Sequence, residues 1–171
     1  MKPIKTLLTI LFISLLSSSS WSVTLGDLVE RDGLYYEKFT DIPFTGEVTG
    51  REQGSFKNGK RDGAWVEYDY SGQLFSKGHY KKGKREGTWA YYCPNGQLWL
   101  KGNRKSGYKE GNWVEYYCDG DLWEKGDYKN GRRDDYWVSY NEDGSVDKEY
   151  TGTFKDGEKI SDWVNSKLTK G

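Results

Sequence analysis

Three consecutive stretches of this chain are versions of one 24-residue unit. They are GSFKNGKRDGAWVEYDYSGQLFSK (Gly54 to Lys77), GHYKKGKREGTWAYYCPNGQLWLK (Gly78 to Lys101) and GNRKSGYKEGNWVEYYCDGDLWEK (Gly102 to Lys125). A fourth copy starts at Gly126, and a fifth at Gly152 after a two-residue slip. A fixed period of this length means that one supersecondary unit is stacked on copies of itself, each burying its apolar face against the next. That excludes most ordinary domain architectures before any local reading begins.

Each copy carries two turn signals. One is the glycine at Gly59, Gly83, Gly107, Gly131 and Gly157, preceded by Asn58, Asn130 and Asp156 in three copies. The other is Gly72, Gly96, Gly120 and Gly144, preceded by Asn95, Asp119 and Asp143 in the last three. Asn-Gly and Asp-Gly supply the positive φ that tight hairpin turns demand. The intervals between turns suit strands and leave no room for ordinary helices. One strand of each copy repeats a tryptophan (Trp65, Trp89, Trp113, Trp137, Trp163) and a tyrosine (Tyr68, Tyr92, Tyr116, Tyr140). The other repeats Leu74, Leu98 and Leu122, each followed by Phe75, Trp99 or Trp123. Strand alternation sets those two adjacent series on opposite faces. A lone hairpin is marginal in water, so edge-to-edge stacking is required. The expected fold is all-β: an elongated, twisted, single-layer antiparallel sheet of stacked hairpins with ladders of identical rings. A middle tryptophan such as Trp113 should cost ~3–5 kcal/mol on change to Ala, and Trp163, with one neighbour, less.

Composition agrees with a ring-built core. Only 35 % of residues are hydrophobic, but 8 Trp, 14 Tyr and 6 Phe bring the aromatic share to 16 %. Rings bury roughly 150–250 Å² each and can replace an aliphatic core. Lys+Arg and Asp+Glu are equal at 26 each, so no cationic excess exists to neutralise phosphates, and nucleic acid is not an expected partner. Departures from the repeat concentrate late. Arg104 replaces the ring found at Phe56, Tyr80, Tyr128 and Phe154, and Asp135 and Ser161 replace Gly63, Gly87 and Gly111. The ladder is expected to loosen toward a frayed tail at 166–171.

The first residues read as a targeting segment. Lys2 and Lys5 precede the apolar run Thr6 to Leu16, and Ser20 and Ser22 fit a small-x-small cleavage rule. Residues 1–22 are therefore read as a helical signal peptide, and the mature protein as exported, periplasmic or secreted. Residues 23–53 read as a lead-in and a divergent capping hairpin of Leu34 to Phe39 against Phe44 to Thr49, and residues 54–165 as the five repeats. Cys93 and Cys118 are the two cysteines. Export permits a disulfide. Strand geometry opposes one: equivalent points in neighbouring hairpins lie two strand spacings apart, about 9–10 Å, while a bridge needs Cα atoms within roughly 7 Å.

The pattern running through Tyr80, Lys81, Gly83, Lys84, Gly87, Trp89, Tyr92, Asn95, Gly96 and Leu98 resembles the MORN-repeat variant carried by proteins of the YwqK-type antitoxin family. RDGLYYEKFTDIPFTGEVTG, from Arg31, looks like the segment that precedes such repeats. The resemblance covers roughly residues 30–163. It implies stacked β-hairpins and a role in protein assembly or lipid-headgroup contact, with inhibition of an effector as the family label.

Catalytic chemistry finds little footing. Gly54 to Arg61 and Gly78 to Arg85 look like the phosphate-binding G-x-x-x-x-G-K, but Arg61 and Arg85 stand where Ser or Thr is needed and a strand follows, so both read as hairpin turns. His79 is the only histidine, and neither a metal cluster nor a paired histidine site can be built on it. Repeated acids such as Glu86 and Glu110 read as solubilising. No enzyme activity, cofactor or metal is expected. The candidate binding surface is the row Phe75, Trp99 and Trp123, flanked by Lys77, Lys101 and Lys125; it faces outward if Leu74, Leu98 and Leu122 face the core. Another protein is the expected partner. A membrane surface, a polysaccharide or a co-exported effector are the alternatives.

Overall fold

The structure, a computed structural model, describes residues 22–162. A single 3-10 turn at Leu25–Asp27 leads into β1 (Leu28–Arg31) and β2 (Leu34–Glu37), which form a small antiparallel sheet of their own. Then follow β3 (Gly46–Val48), β4 (Glu52–Lys57), β5 (Lys60–Tyr68), β6 (Leu74–Lys81), β7 (Lys84–Tyr92) and β8 (Leu98–Lys105). The rest are β9 (Tyr108–Tyr116), β10 (Leu122–Lys129), β11 (Arg132–Ser139), β12 (Gly152–Lys155) and β13 (Glu158–Asp162). From β3 to β13 the strands hydrogen-bond in strict chain order as one 11-stranded sheet. This is the stacked-hairpin, all-β architecture that the period demands. The signal-peptide segment, Trp163 and the tail lie outside the described residues.

The hairpin tips show why the first glycine series is present. Asn58-Gly59, Lys82-Gly83, Ser106-Gly107, Asn130-Gly131 and Asp156-Gly157 all carry positive φ at both positions, 50–53° and then 73–94°. That is the two-residue turn whose twist matches its strands. Each tip is also tied to the copy before it. The amides of Gly83, Gly107, Gly131 and Gly157 donate to the carbonyls of Arg61, Arg85, Lys109 and Arg133, at 2.8–2.9 Å. The acids one place further on make a second tie: Asp62, Glu86 and Glu110 accept the amides of Lys82, Ser106 and Asn130. Glu86 and Glu110, expected to be merely solubilising, are latches between copies.

Two bulges in each of the first three copies, the first of them present in the fourth as well, set which side each residue faces. In the first, Gly63, Gly87, Gly111 and Asp135 sit mid-strand at φ 99°, 65°, 65° and 62°. The register slips there in all four of these copies. An extra residue at positive φ is what such a bulge requires, and Asp, which tolerates the left-handed region, takes glycine's place in the fourth copy. In the second, Leu74 pairs with Tyr68 and Ser76 with Glu67, so Phe75 is the extra residue. Trp99 and Trp123 take the same place in β8 and β10.

The core is one face of the sheet, here called the indole face. Trp65, Trp89, Trp113 and Trp137 are each at most 1 % exposed. Each indole lies over a glycine on the adjoining strand. A Cβ built on Gly54, Gly78, Gly102 or Gly126 would come within 2.2–2.5 Å of ring carbons. The copy's leading glycine is thus the slot for its tryptophan. Each indole Nε1–H donates to the carbonyl ten residues before it, those of Ser55, His79, Asn103 and Asp127, at 2.9–3.2 Å. Tyr80 and Tyr128 stand between successive indoles and Phe56 ahead of the first, all edge-on at 4.9–6.0 Å, the favoured geometry for ring quadrupoles. The row breaks at Arg104, where a guanidinium lies 5.4 Å from the Trp113 ring and donates to the Tyr91 hydroxyl. The break is therefore in the third copy, and a cation fills it.

Two expectations are corrected. Cys93 and Cys118 form a disulfide, with Cα atoms 5.8 Å apart. Both lie beyond strand ends, in the loops Cys93–Gln97 and Tyr117–Asp121, each closed by its own backbone bonds. There the strand spacing does not apply, and the Asn95 side chain donates to the Cys118 carbonyl across the same gap. The second correction is the cap. β2 pairs along its length with β1, because Asp32-Gly33 at φ 52° and 74° is itself a hairpin tip, and it meets the returning stretch at the Tyr36–Pro43 bridge and through the Phe44 amide, which donates to the Tyr35 carbonyl. β3 joins the main sheet beside β4, while Phe44 and Tyr35 contribute rings against Phe56.

The two-residue slip before the fifth copy is absorbed at Asp147 to Thr151. The Asp147 carboxylate caps the amides of Glu149 and Tyr150, and the buried Thr151 hydroxyl accepts the Ser139 amide.

Candidate functional site

Above the indole face runs a row of cations that the repeat places three residues after each tip's first residue. The guanidiniums of Arg61, Arg85 and Arg133 lie 4.5, 4.6 and 4.3 Å from the centroids of Trp65, Trp89 and Trp137, and the Lys109 ammonium 4.5 Å from that of Trp113. A cation over an indole is the strongest pairing of its kind. Carboxylates hold two of the three guanidiniums in place. Glu52 takes Arg61 at 2.8 Å, and Glu124 takes Arg133 with both oxygens at 2.7 Å. The Tyr80 hydroxyl accepts from both Arg61 and Arg85. Burial raises the Tyr35 hydroxyl above its ordinary range, with Glu30 adding to the shift. Glu115 faces Glu124 across the β9–β10 ladder. Its carboxyl is raised above the usual carboxylate range, first by burial and then by the Glu124 charge. The indole face is thus a closed layer of rings under cations rather than an open apolar floor. The sequence repeats Arg61, Arg85, Lys109 and Arg133 at one position, and that was the available sign.

The expected row lies at the rim of this same face. Phe75 and Trp123 are 43 % and 39 % exposed, while Trp99 is half-buried against the core. The Phe75 ring meets Tyr91 at 6.4 Å and the Trp123 ring meets Tyr117 at 5.9 Å. The second bulge tips these residues toward the indoles. Leu74, Leu98 and Leu122 keep opposite them as alternation required, but they pair with Tyr68, Tyr92 and Tyr116 on the far face. Lys77, Lys101 and Lys125 go with them, paired to Val66, Ala90, Val114 and Val138. The structure therefore separates the aromatic row from its expected lysine flank. Of the ring ladders, the four described tryptophans are core, and Tyr68, Tyr92, Tyr116 and Tyr140 are half-buried on the other side.

The phosphate-loop reading has no geometry behind it. Gly59 and Gly83 spend their amides on Phe44 and Arg61 carbonyls, and a strand follows each. His79 is exposed on the far face, beside Ala64 and Glu86. Among the described residues, no group of three or more His, Cys, Asp or Glu is placed to hold a metal ion. What the arrangement offers is two extended, chemically different surfaces on one rigid sheet.

No curated protein matches the chain. Residues 61–82 and 109–130 match the family described as MORN repeat variant. Both stretches run from the cation over the indole, through the Trp strand, to the next hairpin tip, and they begin two repeats apart. Over those stretches the chain is similar to MORN-variant repeats, which generally serve as protein- or membrane-binding modules.

Proposed function

We propose that this chain is an exported, non-catalytic scaffold that binds another protein through the rim of its indole face. The observation that carries the reading is the row Phe75, Trp99 and Trp123, set by three equivalent bulges and left half open beside a closed layer of rings. Large aromatic side chains, tryptophan above all, are enriched among the few residues that carry most of the energy of a protein interface. The Cys93–Cys118 disulfide suits an oxidising compartment and supports the export reading. Inhibition of a co-exported effector is one form this binding can take, in keeping with the antitoxin-type resemblance.

The test is capture from the native envelope with the exported protein, followed by reconstitution with the purified partner. The reading expects one protein recovered in stoichiometric amount, bound by the wild type and weakened at least about tenfold by the pair Phe75→Ala and Trp123→Ala, since a hot-spot ring is worth ~2 kcal/mol or more. Equal binding by that variant rejects the reading.

A further inference from the structure

The far face of the sheet carries a feature that a protein-binding rim does not use. Val66, Ala90, Val114 and Val138 form a line across the strands, and Lys77, Lys101 and Lys125 alternate with them in the same register. Beside that line, Tyr92 and Leu98 wall a groove of ≈ 660 Å³ over Val66, Lys77 and Ala90, and Tyr116 and Leu122 wall another of ≈ 570 Å³ over Val114, Lys125 and Val138. All three lysines are exposed. Among the described residues none of them has a carboxylate partner, and the Lys77 ammonium lies 5.5 Å from the Tyr92 ring. The result is an apolar trough with one unpaired cation per hairpin.

We propose that this trough seats a linear β-1,4-linked glycan bearing one carboxylate per disaccharide, lying across the strands. Three properties of the trough select it. Its cations recur every two strands, about 9.4–9.8 Å, and an extended, diequatorially linked disaccharide repeats over nearly that length. The C–H faces of pyranose rings suit Tyr92, Tyr116 and the Val–Ala floor, while the hydroxyls at the ring edges stay in water. The carboxylates meet the lysines by charge-assisted hydrogen bonds. A peptide laid across the same floor would press unpaired amides onto Val66 and Ala90, which offer no hydrogen-bonding group. A second copy packed back to back would set lysine row against lysine row. Because neighbouring strands rotate by roughly 20–25°, a stiff chain stays seated over only two or three repeats.

The experiment is calorimetry on the full, disulfide-bonded protein with three probes. They are the tetrasaccharide of alternating N-acetylglucosamine and N-acetylmuramic acid, chitotetraose as the same backbone without carboxylates, and an acidic proline-rich peptide. The expected result is binding of the first, weaker by at least about tenfold for chitotetraose and for the triple variant K77Q/K101Q/K125Q, with Trp123→Ala unchanged. The three lysines are exposed and hold no ion pair among the described residues, so with an unchanged urea midpoint a loss in the triple variant reads on the site. The proposal is overturned if chitotetraose binds as well as the acidic glycan, if neither binds, if the triple variant is unaffected, or if the peptide binds best. The Trp123→Ala arm keeps this outcome separate from that of the protein-binding rim.

Discussion

Gly102→Ala is the most severe small change the structure allows. The added Cβ would stand 2.2 Å from Trp113 Cδ2 and 2.4 Å from Cε2 and Cγ, where carbon atoms in contact sit about 3.5–4.0 Å apart. The obstacle is a rigid ring, 1 % exposed, with the Lys109 ammonium 4.5 Å from its centroid and Tyr128 edge-on at 6.0 Å. It cannot slide by more than an ångström in place. If the backbone yields, the cost is ~1–3 kcal/mol. If the indole is expelled, it forfeits its burial and the 3.0 Å bond to the Asn103 carbonyl, and the cost approaches the ~3–5 kcal/mol of losing a buried tryptophan. We expect about 3 kcal/mol. Gly102 does not have positive φ, so alanine brings no backbone strain of its own. Once Trp113 is alanine, the same substitution should be neutral or gain ~0.4–1 kcal/mol through the unfolded chain. Urea unfolding followed by far-UV circular dichroism on G102A, W113A and the double variant gives the coupling, which should be at least ~2 kcal/mol. A cost for G102A below ~1 kcal/mol, or the same cost in both backgrounds, refutes the slot.

Replacing Cys93 and Cys118 by serine should remove about 3 kcal/mol, the order expected for closing a loop between cysteines 25 residues apart; an unchanged urea midpoint on reduction would contradict the bridge. Lys82 holds φ 52° at a tip where other copies use Asn, and a non-glycine residue there costs ~1–2 kcal/mol, so Lys82→Asn should raise the melting temperature, and a fall would count against the turn assignment. Glu115 is raised in the folded state by burial and by Glu124, so between the unfolded and folded values the native chain holds the extra proton, and stability rises as pH falls through the folded value. Glu115→Gln should therefore stabilise at pH 7, with the gain closing below the ordinary carboxylate range; a pH-independent difference would mean the shift is absent.

How much of this was legible depends on whether the cause was local. Asn58-Gly59 and Asn130-Gly131 announce their turns because the left-handed conformation selects those residues by itself, and the regular spacing of Trp65, Trp89, Trp113 and Trp137 announces strands that must stack. The bulges were hidden. Gly87 looks like any turn glycine, and one unpaired residue at Phe75, Trp99 or Trp123 re-aims the ring while leaving the letters unchanged. That is why the aromatic row and its lysines appeared to share a surface. The disulfide failed for a related reason: a rule about strand spacing was carried into loops, where Cys93 and Cys118 are free of it. The slot glycines Gly54, Gly78, Gly102 and Gly126 were visible as the start of each copy, but their purpose depends on a neighbour eleven residues away in the next strand, which only the register reveals.

The most direct test of the stacked-unit account is the proton NMR spectrum of those four glycines. An indole lying flat on Gly54, Gly78, Gly102 and Gly126 should shift one α-proton of each far upfield by its ring current, and Trp113→Ala should return Gly102 alone to an ordinary position. Four glycine α-protons at random-coil shifts would mean that the rings do not rest on their neighbours, and with that the copies would have nothing to hold them in one sheet.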